Sequence, residues 1–252
     1  MRFASLGSGS RGNATLVETA DTCVLVDCGF SAREAQRRLQ RLGRDAADLT
    51  AILVTHEHSD HIGGVATLAR RHGLPVYATA GTAGGTALAA LADLHLIDTR
   101  VPFQLGALTV QPVAVPHDAG EPCQFLFRAG KKAFGLLTDL GSITPAVTET
   151  YRACDALMLE CNHDSALLAA GPYPYFLKRR VGGPRGHLSN VQAAQLLASL
   201  DVARLQQVVM SHLSATNNTE ALARAELLPI LTRSDAILTA DQEAGLDWRE
   251  IV

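Results

Sequence analysis

One segment of the sequence has residue types and spacing suited to holding metal: His56-Glu57-His58-Ser59-Asp60-His61, followed by Ile62-Gly63-Gly64. It comes directly after Ala51-Ile52-Leu53-Val54-Thr55, an apolar run that reads as a buried strand, and it opens a helix. Open α/β sheets place their binding sites where strands end. Imidazole and carboxylate donors together suit zinc, manganese or iron. The segment therefore points to a metal centre built at the end of a strand.

In this pattern the sequence resembles the metallo-β-lactamase superfamily, and the resemblance runs over most of the chain. That family carries HxHxDH, then a lone histidine, an aspartate and a C-terminal histidine, each at a strand end. Here His117 follows Val113-Ala114-Val115-Pro116, Asp139 follows Phe134-Gly135-Leu136-Leu137-Thr138, and His212 follows Val208-Val209-Met210-Ser211. The resemblance implies two divalent ions (zinc, manganese or iron). His56, His58 and His117 would hold the first, Asp60, His61 and His212 the second, with Asp139 bridging. Two such ions can activate water and clamp an in-line displacement at phosphorus. An aspartate rather than a cysteine at the bridging position matches the hydrolases and nucleases of the superfamily.

Two further segments resemble the tRNA 3′-processing nucleases of this fold. Ala156-Leu157-Met158-Leu159-Glu160 is a strand ending in a carboxylate, and Gly186-His187-Leu188-Ser189-Asn190 sets a histidine before a capped helix. The resemblance pairs Glu160 with His187, which would protonate the leaving oxygen; with Asp60 they form the catalytic set. An acid separate from the metals serves the far end of the bond being broken.

Gly7-Ser8-Gly9-Ser10-Arg11-Gly12 spells GxGxxG, yet Ala14-Thr15-Leu16-Val17-Glu18 after it reads as a strand, so the helix a dinucleotide fingerprint needs is missing. The loop either brings Ser8, Ser10 and Asn13 near the metals or is a plain turn. Tyr173-Pro174-Tyr175-Phe176-Leu177-Lys178-Arg179-Arg180, with Arg185 beyond, mixes aromatics with four cations just ahead of His187. Such a mixture suits a path for nucleic acid, or is a solvated face. The full set of motifs, including VPHDA, TDLG, LECNHD, RGHLSN and SHLS, is most similar to the small bacterial YycJ/WalJ-like exonuclease group.

The elements that must position these residues are short apolar strands alternating with helices. Strands are expected at Arg2–Leu6, Ala14–Glu18, Cys23–Asp27, Ala51–Thr55, Leu108–Pro116, Cys123–Arg128, Ala133–Thr138, Ala156–Glu160, Gln207–Ser211 and Ala236–Thr239. Ser31 through Glu34 has capping-box spacing and Gly43 ends that helix; Ser189 through Gln192 opens another; a third runs from Asn217 to Leu228. The alanine-rich stretch Ala78–Ala92 reads as a packed helix. Strands mixed with helices imply a layered α/β protein, for which the resemblance implies the αββα four-layer sandwich. The 252 residues read as one domain, 1–252, without linker or repeat.

With 47% hydrophobic residues the chain can bury a sizeable core, and a net charge of −3 means that any hold on nucleic acid must be local. Five cysteines without a CxxC pair fit reduced thiols in the cytoplasm. No secretory signal is evident, and no run approaches the ~20 apolar residues that span a membrane. The expectation is a dinuclear-metal phosphodiesterase, a DNA rather than RNA exonuclease that is 5′-directed by resemblance. The competing readings are a hydrolase of a small phosphodiester, thioester or lactone, and a non-catalytic regulatory module of the same fold.

Overall fold

A computed structural model describes residues 1–231 and 233–252. The chain opens with a meander of three strands, β1 (Arg2–Gly7), β2 (Ala14–Glu18) and β3 (Cys23–Val26), then α1 (Ala32–Arg41) and β4 (Ala51–Leu53). Next come α2 (Ser59–Ile62), α3 (Val65–His72), β5 (Val76–Ala78), α4 (Ala80–Ala83), β6 (Leu94–Leu96), β7 (Phe103–Leu105), β8 (Leu108–Ala114), β9 (Cys123–Ala129) and β10 (Lys132–Leu137). The remainder is α5 (Pro145–Tyr151), β11 (Ala156–Glu160), α6 (Ser165–Ala170), α7 (Tyr175–Val181), α8 (Asn190–Ala198), β12 (Gln207–Ser211), α9 (Glu220–Leu231), β13 (Ile237–Thr239) and β14 (Leu246–Glu250).

These strands form two seven-stranded sheets, in the orders β14-β1-β2-β3-β4-β5-β6 and β13-β12-β11-β10-β9-β8-β7. Apolar side chains on the facing sides of the sheets pack into one layer. Phe3, Val24 and Leu53 of the first sheet meet Phe125, Phe134 and Met158 of the second, and the Phe3 and Phe134 rings stack 4.2 Å apart. A second cluster lies beneath α1 and α3, and a third beneath α5, α8 and α9. Helix, sheet, sheet, helix: this is the αββα sandwich. Strands β3, β4 and β11 are buried along their whole length, as strands covered on both faces must be.

Several local expectations change. Ala78–Ala92 is not one helix: Thr79 caps the short α4, Gly84 and Gly85 interrupt it, and a 3₁₀ turn spans Ala87–Ala90. Ser31 does accept from Glu34 N, but Glu34 turns to Arg37 and Arg38, so the reciprocal half of that capping box is absent; Ser189 and Gln192 form the complete box. The last long helix starts later than expected, at Glu220. No helix of the described residues is long and apolar enough to cross a membrane.

Candidate metal centre

Parallel pairing aligns the strand ends that carry the site. β3 pairs with β4, while β10, β11 and β12 pair in parallel register. Their C-terminal ends deliver Asp27, the segment from His56 to His61, Asp139, Glu160 and His212 to one end of the sandwich, and His117 joins them after β8. The close approach of the β3 turn to this segment requires glycine. A Cβ on Gly29 would stand 1.8 Å from Asp60 O.

His56 Nε2 and His117 Nε2 stand 3.0 and 3.3 Å from His58 Nδ1. The protons on these rings can be placed. Thr55 Oγ1 donates to Asp27 Oδ2 at 2.7 Å, so His56 Nδ1, 3.0 Å from the same hydroxyl, must donate to it. His117 Nδ1 donates to Gly186 O at 2.9 Å. Both Nε2 atoms are thereby left as lone pairs facing a third imidazole, an arrangement that suits a shared cation. Burial pushes His56 well below its ordinary value and lowers His117, so both rings are neutral, as ligands must be.

The other half of the cluster is carboxylate-rich. His61 Nδ1 is held 2.8 Å from Asp27 Oδ2, which turns Nε2 toward Asp139 Oδ2 at 3.2 Å and Asp60 Oδ2 at 3.6 Å. His212 Nε2 lies 3.7 Å from Asp60 Oδ2. Asp139 Oδ2 is buried without a hydrogen-bond partner. Burial opposes charge here, yet Asp139 and Asp27 outweigh it and carry His61 to about 10, while Asp139 and Glu160 raise His212 well above its usual range. Against the same burial, His212 and His61 hold Asp139 far below the ordinary carboxylate value. A cation at this position takes the place of those protons. The donor set fits a divalent metal, and four overlapping groups of side chains have ligand atoms within 4.8 Å of one another: His56–His58–His117, His56–His61–Asp139, Asp60–His61–His212 and Asp139–Glu160–His187–His212.

Asp27, in sequence no more than the end of a strand, is a working part of the site. It accepts from Thr55 N at 2.8 Å as well as from Thr55 Oγ1 and His61, and so fixes both halves of the metal segment. Among the described residues, the two non-glycine residues with positive φ are Asp27 (60°) and His212 (51°), both in this site. Such backbone costs about 1–3 kcal/mol and persists where surrounding bonds enforce it. For His212 those bonds are its N–H to Ser8 Oγ at 2.9 Å and its carbonyl accepting from Asn162 Nδ2 at 3.0 Å. Asp118, which no spacing in the sequence singles out, also lines the cavity beside His58.

A cavity of about 290 Å³ opens over the cluster, lined among others by Ser10, Asp60, Asp139, Arg180, His187 and His212. Glu160 Oε1 meets His187 Nδ1 at 2.7 Å, and its Oε2 accepts from Leu140 N and Leu188 N at 3.0 and 2.9 Å. Burial opposes its charge, but His187 and the other donors keep the Glu160 carboxyl below its ordinary value.

The loop residues separate. Ser10 is exposed at the cavity, whereas Ser8 and Asn13 are buried directly behind the candidate ligands: Ser8 Oγ accepts from His212 N at 2.9 Å, and Asn13, whose Oδ1 accepts from Gly9 N at 2.8 Å, sets its Nδ2 3.1 Å from His61 Nε2 and 3.4 Å from Asp60 Oδ2. The basic stretch separates too. Arg180 faces the cavity and pairs with Asp118 at 2.5 Å, Arg185 donates to His117 O at 3.0 Å, and Lys178 and Arg179 line a different cavity.

Residues 22–213 match the model of the β-lactamase superfamily domain. The chain belongs to the metallo-β-lactamase superfamily, in its YycJ/WalJ-like group. It is 33% identical to exodeoxyribonuclease WalJ of Streptococcus pneumoniae over 98% of this chain and 92% of that one. It is 34% identical to exodeoxyribonuclease YycJ of Bacillus anthracis over 92% and 89%. Among solved structures, the metallo-β-lactamase fold protein YhfI of Bacillus subtilis superposes with a TM-score of 0.77 at 17% identity, covering 98% of each chain. The short form of human tRNase Z gives 0.70 at 17% identity and full coverage of both chains, a likeness of fold.

Proposed function

We propose that this chain is a dinuclear-metal-dependent DNA exonuclease that digests from the 5′ end, acting as one domain over residues 1–252. Near-full-length likeness to two proteins named exodeoxyribonucleases supports DNA over RNA. The observation that carries the chemistry is the Glu160–His187 pair standing at the rim of the metal cluster. His56, His58 and His117 would hold one ion and Asp60, His61 and His212 the other, with Asp139 available to both; zinc, manganese and iron all suit this set. When bound, the ions lower the pKa of water and supply positive charge for an in-line displacement at phosphorus.

The chain's own residues do the rest. Glu160, fixed by two backbone N–H groups, takes the Nδ1 proton of His187 as a hydrogen bond and leaves Nε2 for the cavity that the ring lines. Carrying a proton on Nε2 as well, as an imidazolium paired with the Glu160 carboxylate, His187 delivers that Nε2 proton to the leaving oxygen and is left as the neutral ring. Arg180 and Ser10 stand where they can hold phosphate oxygens beside the reacting one. Five buried, unpaired cysteines support a reducing compartment, and we assign the protein to the cytoplasm. The test is topological. With Mn²⁺ or Zn²⁺, linear DNA should be consumed while covalently closed circles of the same sequence survive; nicking of the circles would replace exonuclease with endonuclease.

A further inference from the structure

A second cavity, of about 550 Å³, lies beside α7 between α6 and the start of α8. Its volume is that of a small-molecule site, for which ~300–1,000 Å³ is usual. Tyr175, Lys178, Arg179 and Gly182 reach it from one face of the helix, at i, i+3, i+4 and i+7, whereas Arg180 and Val181 border the metal cavity. The same short helix thus walls both spaces.

The lining is unlike that of an apolar groove. Two cations and no carboxylate line it. Arg179 makes no ion pair among the described residues and lies over the Tyr175 ring at 5.8 Å; Tyr175 itself is 75% exposed, an aromatic face open to a ligand. Leu168 provides an apolar wall and Gln192 a polar edge. His163 is only 3% exposed, yet its Nδ1 has no hydrogen-bond partner. Burial also pushes this imidazole below its ordinary value, keeping it a neutral ring with one donor and one acceptor. The Nε2 side of the ring borders Gly182, so the cavity joins two cations and an exposed aromatic ring to the polar edges of His163 and Gln192, a lining that suits an anionic ligand with a planar, hydrogen-bonding group.

We infer that this cavity binds a nucleoside monophosphate, with its phosphate at Lys178 and Arg179 and its base against Tyr175 and Leu168, edge toward His163 and Gln192. The shared chemistry is that of a released mononucleotide and of a 5′-phosphorylated strand end; placing either here as product or substrate rests on the exonuclease reading, whereas binding itself does not.

The probe is the 5′-monophosphate of 2-aminopurine deoxyribonucleoside, whose fluorescence falls when its base stacks, titrated into metal-loaded protein. Saturable quenching is expected, with the unphosphorylated nucleoside binding at least tenfold more weakly. Arg179→Ala, at an exposed position, should raise Kd about tenfold or more. Gly182→Leu should do likewise by filling the cavity, because a Cβ there already meets Leu168 at 3.3 Å and His163 Nε2 at 3.9 Å. Asp139→Ala, which disrupts the metal cluster, should leave Kd within about twofold. Displacement of the probe by a 5′-phosphorylated oligonucleotide but not its 5′-hydroxyl form would identify the strand end as occupant; displacement by neither would identify the free nucleotide. Unchanged affinity in Arg179→Ala, or loss of affinity in Asp139→Ala alone, would overturn the inference by placing the nucleotide on the metals. Digestion of DNA by a protein that does not bind the probe overturns this inference and spares the exonuclease; binding without digestion does the reverse.

Discussion

Glu160 holds His187 from beneath: one carboxylate oxygen takes the imidazole Nδ1 at 2.7 Å while the other is tied to the backbone at Leu140 and Leu188. The histidine is therefore oriented by three separate segments of chain, and its other nitrogen is free for work in the cavity. His187→Ala should keep metal and fold but lose on the order of 10²–10⁴-fold in turnover on DNA, the range for a positioned acid. Glu160→Gln should fall less. A nitrophenyl phosphodiester, whose leaving group needs no proton, should show a much smaller loss. Equal losses on both substrates would make His187 a binding residue.

Asp27 touches no substrate in this account, yet it locks Thr55 and His61. Outer partners of metal-bound histidines typically contribute 10–100-fold in metal affinity. Asp27→Asn should weaken metal binding by about that factor, measured by competition with a chelating dye, with turnover restored by excess metal. Unaltered affinity would reduce Asp27 to a structural prop.

Gly29 lies so near Asp60 that any side chain strikes backbone rather than a movable group. Overpacking of this kind costs about 1–3 kcal/mol or more. Gly29→Ala should lower the urea midpoint and the metal content together, because the displaced segment carries Asp60 and His61. A stable, fully metallated variant would show that the turn can shift without consequence.

Glu18 bonds both Arg44 and Arg2, and these contacts outweigh its partial burial to lower its pKa from 4.5. Because the folded value lies below the unfolded one, the stabilisation is fully present above 4.5 and is lost as pH falls through the folded value. In the presence of a chelator, so that metal loss does not contribute, Glu18→Gln should flatten the decline in urea-unfolding stability below pH 4.5. A slope identical to that of the unsubstituted chain would remove Glu18 from the acid response.

Much of this was legible in the sequence, for physical reasons. Strands such as Leu157–Leu159 and Val208–Met210 are buried on both faces, so they read as continuous apolar runs, and the chemistry follows at their ends. Short strands escaped: Val76–Ala78, Leu94–Leu96 and Phe103–Leu105 span three residues each, too few for a period. Leu246–Glu250 reads as polar and is a strand because β1 pairs with it. Asp27 is one carboxylate at one strand end, and only the fold brings it to His61. The division of Lys178, Arg179 and Arg180 between two cavities depends on which face of α7 each occupies, which proximity to His187 in sequence does not reveal.

In the proposed reaction the metal cluster, with His187 beside it, cuts DNA from an end. The most direct measurement follows metal-loaded protein acting on a linear single strand labelled at its 5′ phosphate, with Asp139→Ala and a chelated sample as controls and an RNA of the same sequence in parallel. Early release of labelled mononucleotide from DNA is expected, with far slower release from RNA and none in either control. Labelled DNA left intact by protein that still hydrolyses a nitrophenyl phosphodiester would contradict the proposed reaction.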